Sequence, residues 1–496
     1  MLSAKRKSLS KIIFIFLITI PQFAFAIPVD WNGVFGVDFR SLGNYRYVGE
    51  TDPGTSYSVA APAAPGSKTT GTFESYLVKL LPVFTINDTA AFKAEFSSGY
   101  ARGGFFGDGQ RYDYKNDQFG DVLYYYNTLG TQALTLNRFW MELYSDTATY
   151  GIGRMSTNWG MGAVYNSGET TWDRFATIRD TFVAKIKLGN FGLDPFIAKI
   201  GDGNSLTSAT YAIELGIPIT YEVPESDMKM GFLWSRKNLG SQNNVVVTPV
   251  STPVNGTTTY SYLTSSGVNI FDIYFKKSFG KLGMELEVPL FDGDLGNFRG
   301  ISGSTKYHTV AGILNLEYKF SYPFKMGLDL GFVPGDNPND SDFTSMYLHP
   351  NFHIANILFR YNQAAISNNT NDNVWDVYVV NTNYLRLYFE YTTEKWLLNL
   401  AGIFAKADKV ATSGGKYVVY ERNTAPIQVA SGVADQSKNL GTEIDFNFDY
   451  SWNEEVKIGG ELGYLLTGDY YGFNNTATPY KVTNPFLFQL NAAVTF

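Results

Sequence analysis

The sequence contains no cysteine among its 496 residues. Without thiols, the chain has no disulfide framework, no thiolate metal site and no lipid anchor on an N-terminal cysteine. Charged residues make up only 17% of the chain, against ~25% in an average soluble domain. The net charge is −7 and no basic cluster opposes it, so we expect no nucleic-acid partner.

Long apolar runs are also missing, apart from the stretch Ile12 to Ile20 near the start. That stretch follows a basic beginning and precedes Ala24-Phe25-Ala26, a small-x-small motif. We therefore predict that residues 1–26 are a signal peptide cleaved after Ala26. The alternative is a retained anchor, but the run is shorter than the roughly 20 residues that a membrane helix needs. Residues 27–496 are predicted to form one exported domain.

Aromatic residues, by contrast, reach 16% of the chain, although the mean hydropathy is only −0.13. Apolar and polar residues alternate from Tyr211 to Tyr221, from Leu385 to Tyr391 and from Ile444 to Tyr450. A period of two is typical of strands with one apolar face. In a membrane-spanning barrel that apolar face contacts lipid, whereas the other face contacts water. The two faces offset each other, so the mean hydropathy of the chain is close to zero. We therefore predict an all-β fold, a transmembrane antiparallel up-and-down β-barrel.

Short polar turns alternate with longer loops along the chain, which predicts about 18 strands, with 16 as the alternative. The predicted turns are Asn87-Asp88, Ser145-Asp146, 190–192, 224–227, Gly280-Lys281, Tyr322-Pro323, Thr393-Glu394 and Asn453-Glu454. The predicted external loops are 48–72, 104–133, 156–171, 204–208, 241–259, 293–303, 336–381, 410–436 and 470–483.

The last strand has an apolar face that runs to Phe496. It consists of Phe486, Phe488, Leu490, Ala492, Val494 and Phe496. This end resembles the C-terminal strand of bacterial outer-membrane proteins. The resemblance implies that the barrel-assembly machinery recognises Phe496. It also implies that the chain lies in the cell outer membrane, in contact with lipid and lipopolysaccharide.

A barrel of this size encloses an aqueous lumen, and the polar strand positions predict the side chains that line it. One wall is predicted to be mostly basic, and its lumen-facing residues are Arg138, Glu142, Arg154, Arg179, Lys185, Lys187 and Lys199. Those elsewhere are Asp272, Glu285, Glu287, Glu317, Arg386, Glu443 and Asp445. Such segregation creates a transverse field across a pore; the alternative is that the charges pair across the lumen.

The third predicted external loop, residues 156–171, follows the strand that contains Arg154. It carries Trp159, directly before Gly160. It resembles the third loop of general porins, which folds inward and narrows the channel. Gly160 and Gly162 permit a tight turn, Trp159 supplies an apolar anchor, and Glu169 and Asp173 are expected to face the basic wall. The alternative is an ordinary external loop with a tryptophan at the membrane rim.

A Gly-Arg pair on a strand, an aromatic-Gly turn and an Arg-bearing return strand also resemble the alginate-export family of 18-stranded barrels. That resemblance implies that Arg154 and Arg179 are pore-wall arginines that attract anionic groups. The acidic residues predicted for the lumen depart from the pattern of that family.

An enzyme site in the barrel wall would need a histidine beside a serine or an acid, and the sequence has three histidines, His308, His349 and His353. His308 has no serine or acid at a recognised spacing, and Pro350 separates the other two, which disfavours a helical metal pair. Acidic loop positions do not follow the regular spacing of a calcium loop. We expect no enzyme activity, no metal and no cofactor.

Three functions follow as hypotheses. The first is a porin-like channel for passive diffusion of small hydrophilic solutes and ions. The second is an exporter or dedicated channel for an anionic polysaccharide, suggested by Arg154 and Arg179. The third is a structural or adhesive barrel whose lumen is blocked, suggested by the loop 336–381. The sequence leaves open whether the barrel is a monomer or a trimer.

Overall fold

The computed structural model describes most of the chain from Ile27 to Phe496. The described residues are 27–48, 69–98, 103–105, 134–200, 212–239, 245–254, 257–263, 267–295, 305–337, 339, 341–363, 366, 374–375, 377–419, 427–429, 434–473 and 479–496. The predicted signal peptide, residues 1–26, lies outside them, as do most of the loops predicted at 48–72 and 104–133.

The chain forms one closed antiparallel sheet of 18 strands, three of which are interrupted. The strands are β1 (Val29–Gly43), β2 (Thr70–Asn87), β3 (Ala90–Ser98 and Gly103–Phe105), β4 (Leu134–Tyr144), β5 (Ala148–Ser156), β6 (Ile178–Leu188), β7 (Phe191–Leu193 and Phe196–Ile200), β8 (Ala212–Val223), β9 (Met228–Leu239), β10 (Gly267–Phe279), β11 (Leu282–Asp294), β12 (Lys306–Val310 and Gly312–Lys319), β13 (Phe324–Val333), β14 (Thr382–Thr392), β15 (Trp396–Ala407), β16 (Asn439–Ser451), β17 (Val456–Thr467) and β18 (Phe486–Thr495). The predicted fold class and the larger strand count are confirmed.

The barrel closes where β18 pairs with β1, from Val34 opposite Thr495 to Gly43 opposite Phe486. The backbone N–H of Gly33 donates to the Phe496 carbonyl at 2.9 Å, and the Phe496 ring stacks on Phe35. The last residue therefore contributes to the closing seam. Closure leaves no open sheet edge, as a membrane requires.

Neighbouring strands are joined by the predicted short turns at one end and by the longer segments at the other. At the long-segment end, two hairpins pair outside the barrel sheet: Val245–Val254 with Thr257–Leu263, and Tyr417–Val419 with Ile427–Val429. β7 is interrupted at Asp194-Pro195, since proline lacks the N–H that a ladder needs. Short turns on the periplasmic side and longer loops outside are the asymmetry of bacterial barrels.

Alternation along each strand separates an apolar outer surface from a mixed inner one. On β18, Phe486 and Phe488 are 47% and 39% exposed, whereas Leu487 and Gln489 are each 2% exposed. The predicted outer face of the last strand is therefore confirmed. In water such a surface would aggregate, whereas lipid requires it.

The barrel is packed inside by two segments of its own chain, which we call the first inner segment (residues 157–177) and the second inner segment (the described residues of 334–381). Met346, Leu348, Ile357 and Leu358 of the second are fully buried. They pack against inward strand residues that include Ile313, Ile403 and Leu465. The sequence leaves open whether the loop predicted at 336–381 folds into the lumen. Its described apolar residues do, because they form a core with the inward wall residues.

No helix among the described residues has the length and apolar character needed to cross a membrane.

Candidate functional site

The first inner segment is fixed by its tryptophan. Trp159 is 6% exposed and packs in a cluster with Met155, Tyr165 and Leu233. Its ring lies over Gly231 of β9, where an added Cβ would come within 2.7 Å of the ring. The backbone N–H of Trp159 donates to the Tyr165 carbonyl at 3.0 Å. Trp159 is therefore an interior anchor, and the alternative of a tryptophan at the membrane rim does not apply.

The turn after Trp159 depends on two glycines. Gly160 and Gly162 have φ of +55° and +81°, a left-handed conformation that side chains with a Cβ rarely adopt. A Cβ on Gly160 would lie 2.5 Å from the carboxylate of Glu287 on β11. That carboxylate accepts a hydrogen bond from the Met161 backbone N–H. The sequence-predicted constriction residues Trp159, Gly160 and Gly162 thus lie together inside the barrel.

Side chains tie the first inner segment to the barrel wall. The Tyr165 hydroxyl donates to Glu214 Oε1 at 2.6 Å, and Arg138 Nη1 donates to Glu169 Oε1 at 2.8 Å. Asp173 was expected to face the basic wall. Instead it accepts the backbone N–H of Thr170 in its own segment, at 3.0 Å.

The residue after Asp173 makes the wall contact. Arg174 Nη2 lies 3.0 Å from Asp38 Oδ2 and donates to the Ser75 hydroxyl at 2.8 Å. Burial and the neighbouring Arg40 guanidinium lower the pKa of Arg174 to about 9, whereas Asp38 acts to raise it. The positive charge of Arg174 is paired with the Asp38 carboxylate on β1. The pair fixes the position of the first inner segment against the wall.

The second inner segment is held by carboxylates of β16. Glu443 accepts the backbone N–H groups of Ile357 at 2.6 Å and Leu358 at 2.9 Å. Asp445 accepts the N–H of Asn356 at 3.0 Å. Glu443 and Asp445 are 0% and 2% exposed. They face inward as predicted, but they contact the segment and do not line open lumen.

The two inner segments also contact each other. The N–H of His349 donates to the Ala163 carbonyl at 2.7 Å, and Asn351 Nδ2 donates to the Phe175 carbonyl at 2.8 Å. The Arg174 guanidinium carbon lies 3.6 Å from the centre of the Trp375 ring. The segments therefore form one continuous structure across the lumen.

The inward basic residues of β3 to β8 are mostly paired with acids on the same wall. Arg138 lies 2.5 Å from Glu95, Arg179 lies 2.5 Å from Glu214, and Lys93 lies 2.8 Å from Glu142. Lys185 and Lys187 share the inward face of Arg179 and are exposed. The alternative of paired charges thus fits this wall better than a uniform positive surface does, and the pairs form along the wall.

The predicted acidic residues divide into two groups. Asp272 and Glu287 are fully buried behind the first inner segment. Glu285 accepts the Tyr274 hydroxyl at 2.6 Å, Glu317 lies 3.0 Å from Lys325, and Arg386 lies 2.7 Å from Asp329. Of these, Glu285 and Asp329 border a cavity.

Two residues predicted for the lumen lie on the outer face instead. Arg154 shares a face with Ile152, and Lys199 shares a face with Ile197, since residues two apart on a strand point the same way. Ile152 and Ile197 are 42% and 48% exposed on the lipid side. Arg154 pairs with the outward Asp180 at 2.7 Å. The lumen position next to Arg154 is taken by Met155, which is buried opposite Arg179.

Among the described residues, cavities lie beside the inner segments. One of about 730 Å³ lies between the first inner segment and the short turns. Its charged lining residues are Lys93, Arg138, Glu142, Glu169, Lys185, Asp194 and Lys229. Another, of about 490 Å³, lies between the two segments and is bordered by Glu285, Asp329 and His353. The unfilled part of the lumen is thus lined by charges of both signs.

Several inward charges were missed by sequence reasoning. Asp38, Arg40 and Lys79 are buried on β1 and β2, and Lys79 Nζ donates to the Thr170 carbonyl at 2.7 Å. Asp38 and Arg40 alternate with Val37 and Phe39. The same period of two therefore contained the signal for them.

The histidines lie in two places, with His308 on a strand and His349 and His353 in the second inner segment. His308 is exposed on the outer face, 3.3 Å from Asp292, and the His349 ring accepts the N–H of Asn351. Within the described ranges, no group of three or more His, Asp or Glu residues is positioned to hold a metal ion.

An apolar outer surface, a closed 18-strand sheet and an interior narrowed by inward-folded segments define a transmembrane β-barrel with a porin-like architecture. No protein-family model matches the sequence, and no curated protein does. Solved structures do match. They include a BenF-like porin from Pseudomonas fluorescens, which is 8% identical in sequence. The match covers 94% of the present chain and 99% of the porin, with a TM-score of 0.47.

Two further matches are OpdK of Pseudomonas aeruginosa, in a structure with vanillate, and OmpT of Vibrio cholerae in a trimer form. OpdK has 10% identity, coverage of 94% and 98%, and a TM-score of 0.46. OmpT has 11% identity, coverage of 95% and 99%, and a TM-score of 0.37.

Proposed function

We propose that the protein is an outer-membrane channel for passive diffusion of small hydrophilic solutes and ions, narrowed by its two inner segments. The cavity of about 730 Å³ on the turn side of the first inner segment carries this proposal. Its volume lies in the ~300–1,000 Å³ range of small-molecule sites. Its charged side chains can form hydrogen bonds with a polar solute in place of those that the solute makes with water.

Selectivity in such a channel comes from the charges beside the narrowest part. Lys93, Lys185 and Lys229 border the cavity together with Glu142 and Asp194. Because both signs are present, we expect weak ion selectivity. A solute would need to be small, since Arg138 and Glu169 join the wall to the inner segment across part of the lumen.

The polysaccharide-export hypothesis has less support. It depended on Arg154 and Arg179 as a pair of pore-wall arginines. Arg154 points away from the lumen, and Arg179 is 3% exposed and paired with Glu214. Neither guanidinium is available to a passing polymer in this arrangement.

A structural barrel with a blocked lumen is the second candidate. One observation favours it: the second inner segment forms an apolar core with the walls, in which Met346, Leu348 and Ile357 are fully buried. A segment packed in this way resists displacement.

Single-channel recording of the purified, refolded protein in a planar bilayer separates the two candidates. We expect discrete steps, smaller than those of an 18-strand barrel with a clear lumen, and a small reversal potential under a salt gradient. Folded protein that inserts but gives neither steps nor flux of small sugars into liposomes would overturn the channel proposal and support the blocked barrel.

A further inference from the structure

A row of charged side chains crosses the outer face of the barrel near its loop end. Arg154 on β5 lies opposite Asp180 on β6, which lies opposite Lys199 on β7. Neighbouring strands are about 4.8 Å apart, so the row spans about 10 Å. Arg154 contacts Asp180 with two nitrogens, at 2.7 and 3.2 Å, and the two side chains are 50% and 45% exposed.

The surface around this row has two parts. A pocket of about 300 Å³ contains Arg154, Asp180 and Lys199 together with Asn137. A shallow groove shares Asp180 and Lys199 and is otherwise lined by apolar side chains, mainly Ile152, Phe182, Ile197 and Ile213. Ile152, Phe182 and Ile197 each lie two residues nearer the membrane centre than the charged residue of their strand. The polar pocket is therefore at the membrane surface, with the groove below it.

The charge of this patch is positive. Arg236 on β9 is also exposed on the outer face, where it donates to Asn238 and Asn269 side chains at 3.0 and 3.3 Å. The described parts of β5 to β9 carry three positive charges on the outer face, namely Arg154, Lys199 and Arg236. The one negative charge on that face of these described strands is Asp180. Basic residues at this depth attract anionic headgroups.

We propose that this patch is a binding site for a phosphorylated membrane lipid. A phosphate lies between Arg154 and Lys199, and an acyl chain follows the groove of Ile152, Phe182 and Ile197. The guanidinium group holds phosphate through two parallel hydrogen bonds. A free phosphate would use only the pocket, whereas the continuity of pocket and groove fits an amphiphile. The site faces away from the lumen and does not depend on solute passage.

Asp180 sets the competition at this site. Its carboxylate occupies the Arg154 fork, so a phosphate must share or replace that contact. Removing the carboxylate charge should therefore leave lipid binding as strong as in the wild type, or make it stronger. A site that needed a bridging divalent cation would respond in the opposite way.

Native mass spectrometry of the refolded barrel in detergent, titrated with lipopolysaccharide, tests the proposal. The double variant Arg154→Gln/Lys199→Gln should bind at least tenfold more weakly, at ~1 kcal/mol for each basic residue. Lys406→Gln is the matched control, since Lys406 is exposed on the outer face at the loop end of β15, away from the patch. It should bind like the wild type.

Two results would overturn the proposal. One is equal binding of enzymatically dephosphorylated lipopolysaccharide by the wild-type barrel, which would leave only the apolar groove as the determinant. The other is loss of binding in Asp180→Asn, which would assign the contact to a metal bridge. Conductance of the double variant should match the wild type, so a failed channel test and a failed lipid test are distinguishable.

Discussion

The carboxylate of Glu443 accepts the backbone N–H of Leu358 at 2.9 Å, deep inside the barrel. Its other oxygen accepts the N–H of Ile357 at 2.6 Å. A strand residue thus supplies the hydrogen bonds that a buried irregular backbone cannot make with itself. Buried N–H groups are costly to leave unpaired, so Glu443 helps to decide whether the second inner segment stays in the lumen.

Replacing Glu443 with Gln tests this role. The amide keeps one acceptor but presents an N–H₂ group to the other backbone donor, which leaves a buried polar group unsatisfied. We expect a loss of about 1–3 kcal/mol in the stability of the segment. Single-channel records should then display steps to a higher conductance level.

Asp449→Asn is the control for that variant, because Asp449 lies on the same inward face of β16, nearer the short turn. It should leave the conductance level unchanged. Identical records from folded Glu443→Gln protein would refute the idea that the second inner segment limits the current.

The first inner segment offers a separate test at Gly160. An alanine there would adopt a φ of +55° and place its Cβ 2.5 Å from Glu287 Oε2. The conformation alone costs about 1–2 kcal/mol, and the contact displaces the carboxylate that holds Met161. We expect lower thermal stability and noisier, larger conductance steps.

Gly402→Ala serves as its control, since a Cβ at Gly402 meets nothing within 4 Å and its φ is not positive. Its melting temperature and conductance should equal those of the wild type. If both alanine variants behave alike, the turn at Gly160 is not what fixes the first inner segment.

The barrel itself was predictable because lipid and water enforce a period of two on every strand. Turn residues such as Gly280 and Pro323 marked the strand ends, and their number indicated 18 strands. The inner segments were less accessible to sequence reasoning. The stretch 344–360 contains strand-like portions within a long predicted loop, and only the enclosing wall determines that it packs inside.

The prediction that Arg154 and Lys199 line the lumen is wrong, because the phase of the alternation on β5 and β7 puts both on the outer face. Ile152 and Ile197, two positions away, already indicated the outer face. A charge near the end of a strand can face outward, because its headgroup surroundings are polar.

Buried and exposed arginines should differ sharply in their effect on stability. Arg174→Met removes one of the two arginines that contact Asp38 inside the barrel, together with a hydrogen bond to Ser75, and we expect a loss of about 1–3 kcal/mol. Arg154→Met removes a half-exposed pair on the outer face, which is worth about 0–1 kcal/mol. Urea unfolding in micelles, followed by tryptophan fluorescence, measures both. Equal midpoints would contradict the docking role of Arg174.

Ion selectivity gives the last and most direct test of which way the lysines point. Lys185 borders the cavity of about 730 Å³, whereas Lys199 lies on the outer face. Lys185→Glu replaces a positive charge beside the ion path with a negative one, so the reversal potential under a salt gradient should shift toward cation preference. Lys199→Glu makes the same chemical change on the lipid side and should leave the reversal potential where it was.

Salt concentration separates this effect from a change in pore shape. Charges act over a Debye length of about 10 Å at 0.1 M and about 3 Å at 1 M, so the shift caused by Lys185→Glu should shrink as the salt is raised. A shift that persists at 1 M would indicate an altered constriction. A shift of equal size in Lys199→Glu would mean that this residue, and with it the outer face of β7, lies beside the conducting path.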